Sequence, residues 1–290
     1  MSAQPPAEPP VAEAPQAELD DADDMRGFHF RRLMRKPLTW ILLVLAVALA
    51  ASGGGALLGA VFIAVGAAAA IVLVLVVVFM IADSAAEKSF FEAYAKQRGM
   101  TNAGRTSIPP ATPLLRKGDD RYAERLLSGP LANGVDGALA LYTSEQTYTD
   151  SDGNRQTSYY RYTLGMCDVP ETSADLPLLY CHGKFGLRSL QKLEDAFRKV
   201  ERVTLESEAL DKRYEIFVSP EQDANWVRQL FSPTFIVWLT DAAPRKFAFE
   251  LVSGTLCCFV KGHKKSAAEL DVMRAAAAHV ATRLHEEATE

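Results

Sequence analysis

The side chains best suited to chemistry are four cysteines and two histidines: Cys167, the adjacent pairs Cys181-His182 and Cys257-Cys258, and His263. Thiolate and imidazole can hold zinc or work as a nucleophile and its base. Structural zinc needs ligands in short-range pairs such as Cys-x-x-Cys or His-x-x-x-His, because a turn must aim two of them at one ion. The sequence has no such pair. Neighbours on a strand point to opposite faces, so neither Cys181-His182 nor Cys257-Cys258 offers two groups to one ion. A Cys–His nucleophile would have to be assembled by the fold from distant residues. Buried reduced thiols are the expectation inside a cell, whereas an oxidising compartment would allow two disulfides.

Other polar residues point no further. Asp119, Asp120, Glu124 and Asp211 have no mutual spacing that marks a catalytic pair, and they read as exposed helix surface. Asp150, Asp152 and Asn154 suggest a calcium loop, but Gly153 stands at loop position four and Arg161 at position twelve. An EF-hand needs glycine at six and glutamate at twelve, so a turn is the better reading. Phosphate-loop, dinucleotide, H-E-x-x-H and G-x-S-x-G signatures are missing from the sequence. Trp226, Phe231, Phe235 and Trp238 read as core rather than as a ligand platform. No catalytic residue, metal ligand or cofactor site is assigned.

Elements able to position these residues are legible in patches. "GALALYTSEQTYT" and "RQTSYYRYTLGMCDV" flank Asp150–Asn154 as a long hairpin, and "PLLYCHGKF", "RVTLES" and "RYEIFV" read as strands. "KFAFELV" and "TLCCFVK" form a second hairpin about the two-residue turn Ser253-Gly254. Ser219-Pro220 and Ser232-Pro233 each predict a helix start, serine as cap and proline at the first helical position. A helix capped by Ser189 carries Leu190, Leu193, Phe197 and Val200 on one face. The capping box Ser266–Glu269 opens a last helix whose stripe Leu270, Met273, Ala277, Val280 and Leu284 docks on the sheet. "TNAGRTSIPPATP" reads as loop and "DDRYAERLLSG" as a short helix. Strands and helices mixed with hairpins predict an α+β domain.

Charge is partitioned sharply along the 290 residues. Residues 1–24 are rich in Pro, Ala and acid and read as a disordered tail. Residues 37–82 carry no charge, and residues 83–290 carry a net −3, which gives nucleic acid no basic surface to bind. As one helix the 46 uncharged positions would span about 69 Å, twice a hydrocarbon core of roughly 30 Å. The length predicts two membrane spans, about 37–53 and 57–80, reversing at Gly53, Gly54 and Gly55. Arg26, Arg31, Arg32, Arg35 and Lys36, with Trp40, form an interfacial anchor over 25–36. Basic residues also follow the run, so the positive-inside rule places both termini in the cytoplasm. Gly55, Gly59 and Gly66 permit close helix packing, within the hairpin or between copies. Residues 83–99 read as a helical stalk, and 100–290 as the cytoplasmic domain.

The stretch "LDKRYEIFVSPEQDANWVRQLFSPTFIVWL" resembles a bacterial membrane-anchored family of unknown function, with short N-terminal spans before a cytosolic α+β domain. The likeness rests on the strand Tyr214–Val218, Asp223, Leu230, Ser232-Pro233 and the hairpin "FAFELVSGTLCCFV", with tyrosine where phenylalanine is more usual. It implies architecture and no activity. The combined expectation is an α+β domain with antiparallel hairpins and a C-terminal helix, tethered by an N-terminal transmembrane hairpin at a bacterial inner membrane. Its expected role is a binding or scaffolding module. The expected partners are the lipid bilayer and a protein or a second copy, with no nucleic acid and no cofactor. An accessory subunit of a transporter or envelope complex, and a thiol-dependent or hydrolytic enzyme, are the alternatives.

Overall fold

A computed structural model describes residues 60–151, 153–184 and 200–289. Its centre is a nine-stranded sheet in the order β1-β2-β3-β4-β9-β8-β5-β7-β6, with every neighbouring pair antiparallel. The strands are β1 (Thr101–Thr106), β2 (Asp120–Pro130), β3 (Asp136–Thr149), β4 (Arg155–Asp168), β5 (Leu178–Gly183), β6 (Glu201–Val203), β7 (Tyr214–Val218), β8 (Ala248–Val252) and β9 (Thr255–Lys261). The helices are α1 (Ala60–Gln97), α2 (Pro113–Arg116), α3 (Glu208–Arg213), α4 (Ala224–Leu230), α5 (Pro233–Val237) and α6 (Ala267–Thr289).

Period-2 alternation divides the buried side chains between the two faces of the sheet. One face carries Leu139, Leu141, Cys181, Phe249, Leu251 and Cys258, packed under α6, α4, α5 and the end of α1. The other carries Ala140, Tyr142, Leu164, Cys257 and Phe259, under Leu114 and Leu115 of a strap formed by residues 107–118. The α6 stripe expected from its spacing is buried throughout. It lies so close that a Cβ on Gly165 of β4 would come within 2.6 Å of the Ala277 Cβ. The Ser266 hydroxyl accepts the Glu269 N–H at 3.4 Å, the cap half of the predicted capping box, and meets the Glu269 carboxylate at 3.0 Å. In the β8–β9 turn, Ser253 and Gly254 have φ of 48° and 79°, the left-handed pair that a two-residue hairpin needs.

Several expectations are corrected. Among the described residues no helix is long and apolar enough to cross a membrane. That overturns the transmembrane hairpin, the tethered fold class, and the inner-membrane placement with cytoplasmic termini. Only the part of the uncharged run from Ala60 onward is described, as one side-packed helix that goes on into charged sequence; the first expected span, 37–53, lies outside the described residues. Here α1 continues past Ala82 through Asp83, Glu87 and Lys88 and buries Val78, Ala82 and Ala86. Nor is 83–99 a stalk, since Phe90, Phe91 and Tyr94 are core residues. Tyr94 Oη donates to Asp271 of α6 at 2.8 Å, and Arg98 Nε donates to the same carboxylate at 3.0 Å. Gly66 lies within α1, whereas Arg26, Arg31, Arg32, Arg35, Lys36, Trp40, Gly53, Gly54, Gly55 and Gly59 fall outside the described residues.

The segment read as loop contains β1, and the segment read as a short helix is β2. In β2 a register shift between Ala123 and Arg125 breaks the alternation that would have announced a strand. Ser219-Pro220 starts only a turn, and α4 begins later, where Asp223 accepts the Asn225 N–H at 2.8 Å. The Ser189-capped helix lies outside the described residues.

Candidate functional site

The four cysteines are free thiols and all are buried. Burial, with Asp168 and Glu171 nearby, pushes the Cys167 thiol up to about 12. Burial likewise raises Cys181, Cys257 and Cys258 well above the ordinary thiol range. A protonated, inaccessible thiol is neither nucleophile nor ligand. At pH 7 the native protein is therefore expected to take up no maleimide at these four positions, and all four label in denaturant. Mass spectrometry reads the result, and stoichiometric labelling of a native cysteine would contradict it.

Three histidines meet carboxylates: His182, His263 and His285. His182 Nε2 lies 3.1 Å from Glu250 Oε1, with both side chains inside the protein. The second oxygen of Glu250 accepts the Leu114 N–H at 2.9 Å, so the pair holds the strap against the sheet. Neither group reaches solvent.

His263, Glu124 and Thr143 make a second cluster. Thr143 Oγ1 donates to Glu124 Oε1 at 2.9 Å and lies 3.4 Å from His263 Nε2. The constellation resembles a nucleophile, base and acid, but its hydrogen bonds rule that out. His263 Nε2 is 3.0 Å from the Tyr142 carbonyl, which can only accept, so this nitrogen carries the proton and has no lone pair for Thr143. Thr143 is itself fully buried.

The remaining residues singled out by sequence do not converge. Asp119 accepts the Thr147 N–H at 2.7 Å, Asp120 accepts its neighbour's N–H at 2.8 Å, and Asp211 sits in α3. Phe235 stacks on Trp238 with centroids 5.6 Å apart and lies against Phe249, as a core cluster does. Among the described residues no three His, Cys, Asp or Glu side chains are grouped to hold a metal ion.

What the fold does assemble is an open cleft of about 940 Å³ across the ends of β3 and β4. Ile108, Pro109, Ala111 and Leu115 of the strap wall one side, and Ala281, Thr282 and His285 of α6 the other. Ala138, Met166 and Val169 supply apolar surface between them. Asp136, Asp168 and Glu171 line the same space, and the lining holds no lysine or arginine. The β3–β4 register ends with Ala138 opposite Met166; Asp136 opens β3 opposite Pro130 of β2, and Asp168 closes β4 opposite Thr255 of β9, whose hydroxyl it accepts at 3.3 Å. Burial opposes the charge on Glu171, but hydrogen bonds from its own backbone and from His285 outweigh it and hold the carboxyl below the usual glutamate range.

Sequence reasoning missed this site because its carboxylates come from a strand start, a strand end and a short 3-10 turn. A usable signal did exist: the two strands of the β3–β4 hairpin are equally long, so Asp136 at the start of one and Asp168 at the end of the other fall at the same end of the sheet. No known protein family, characterised protein or solved structure matches the chain.

Proposed function

We propose that this domain is a binding module, and that its cleft takes an extended peptide segment in which basic side chains alternate with aliphatic ones. The observation that carries the reading is the composition of the lining: apolar surface along the length, three carboxylates and no lysine or arginine. An aliphatic side chain would cover Ile108, Pro109 and Met166. A lysine or arginine would form charge-assisted hydrogen bonds with Asp136 or Asp168. The open form of the cleft admits a chain that enters and leaves, and its volume stands at the upper end of ligand sites. Burial of the thiols and the protonation of His263 Nε2 speak for binding over catalysis.

The test is fluorescence anisotropy on the full chain with labelled hexapeptides alternating aliphatic and basic residues, against a matched set carrying glutamate in the basic positions. Asp136→Asn combined with Asp168→Asn is expected to weaken binding of the basic set by about 10-fold or more, and rising salt is expected to reproduce part of that loss. Equal binding of both sets, or an unchanged affinity in the double variant, would overturn the reading.

A further inference from the structure

One carboxylate of the cleft already has an occupant from the protein itself. His285 Nδ1 meets Glu171 Oε1, and because an ionised carboxylate can only accept, the imidazole donates. Among the described residues His285 is the sole basic side chain of the lining. Arg283, two residues earlier on α6, is committed to the Gln229 and Leu230 carbonyls and to Glu287. The two partners are held very differently. Glu171 sits on a 3-10 turn (Pro170–Ser173) flanked by two backbone bonds, Val169 N–H to the Gly254 carbonyl at 2.6 Å and Leu176 N–H to the Thr172 carbonyl at 2.8 Å. This turn packs so closely on the β8–β9 hairpin that a Cβ on Gly254 would come within 2.5 Å of Ser173 Oγ. His285 projects from the end of α6 with 60% of its side chain exposed, next to Leu284, whose burial fixes the backbone. The carboxylate therefore stays in place while the imidazole can rotate away, a motion that an exposed side chain makes within nanoseconds.

We propose that the His285–Glu171 contact is autoinhibitory: the imidazole fills the place of an incoming basic side chain, and a peptide must displace it to reach Glu171. This rests on the reading of the cleft as a peptide site. Nδ1 gives Glu171 one hydrogen bond. A lysine brings a full charge and three donors, and an arginine can bond both carboxylate oxygens at once. Either gains more at Glu171 than the imidazole loses, so the exchange runs toward the bound peptide. The contact lowers affinity without closing the cleft. A pair this exposed also adds little to folding, so it can be removed without disturbing the scaffold.

Anisotropy on the full chain with the basic hexapeptides, parent against His285→Ala, tests the proposal. Position 285 is exposed, so circular dichroism of the variant should match the parent. The dissociation constant is expected to fall about 3-fold or more. In a Glu171→Ala background the same substitution should bring no gain, because the competitor has lost its seat. A second measurement follows the imidazole itself. In proton–nitrogen spectra of histidine-labelled chain, the His285 signal, identified by its loss in the variant, should move as basic hexapeptide saturates the cleft. A parent that binds the basic set while His285→Ala binds it no tighter would overturn the proposal and leave the cleft reading standing. So would an unmoved His285 signal, or a gain that persists in full with Glu171→Ala, since His285 would then act by bulk alone. A parent that binds neither peptide set would sink both.

Discussion

Glu250→Ala is expected to cost about 3–5 kcal/mol of folding stability, the loss typical when one partner of a buried pair is removed. Both oxygens of this carboxylate are engaged, one with His182 Nε2 at 3.1 Å and one with the Leu114 N–H at 2.9 Å. Alanine therefore takes the carboxylate away from a buried imidazole and from a backbone donor, both shielded from water. It also cuts the tie between β8 and the strap, whose other bonds to the sheet include Tyr142 Oη to Leu115 O at 3.3 Å, Ser144 Oγ to Lys117 O at 2.7 Å and Arg121 Nη1 to Arg116 O at 2.7 Å. Glu250→Gln keeps the shape and one acceptor, and should lose distinctly less. Urea unfolding followed by tryptophan fluorescence reads both variants. An alanine variant within about 1 kcal/mol of the parent would show that the pair does not clamp the strap. Because Leu115 of the strap walls the cleft, the same variant should weaken peptide binding under conditions where it remains folded.

Gly165→Val should destabilise at the upper end of about 1–3 kcal/mol, by overpacking rather than by backbone strain. The space for a side chain there is already taken: the Ala277 Cβ would lie 2.6 Å away and the Met273 Cε 3.6 Å. Either α6 lifts from β4 or the sheet distorts. Lifting α6 carries Ala281 and His285 with it, so the far wall of the cleft moves as well. Ala277→Gly in the same chain reopens the space and should recover part of the loss, giving a non-additive double-mutant cycle. Thermal unfolding of the four cycle members measures this. Additive losses would mean that the helix does not rest on Gly165 as described.

These two sites illustrate what a sequence exposes and what it conceals. The α6 stripe and its Ser266 cap are legible because each follows from the period of one helix. The β3–β4 and β8–β9 hairpins are legible because alternation runs up to a turn on both sides. By contrast β2 reads as a helix, since its bulge near Glu124 interrupts the alternation at the decisive place. The long uncharged run is judged by its length alone, and length does not say whether the apolar surface meets lipid or protein. Pairs such as Glu250 with His182, or Gly165 with Ala277, are far apart along the chain and meet only through the strand order and the docking of α6. The cleft is of the same kind. Its apolar wall comes from a strap that the sequence marks merely as proline-rich loop.

Hydrogen exchange on the full chain, read by mass spectrometry with and without an aliphatic–basic hexapeptide at saturation, tests the central claim most directly. Binding in the cleft predicts slowed exchange in three separate segments, around 108–115, 133–138 and 281–285, with the rest of the sheet unchanged. Protection confined to other segments, or no change in these three, would contradict it.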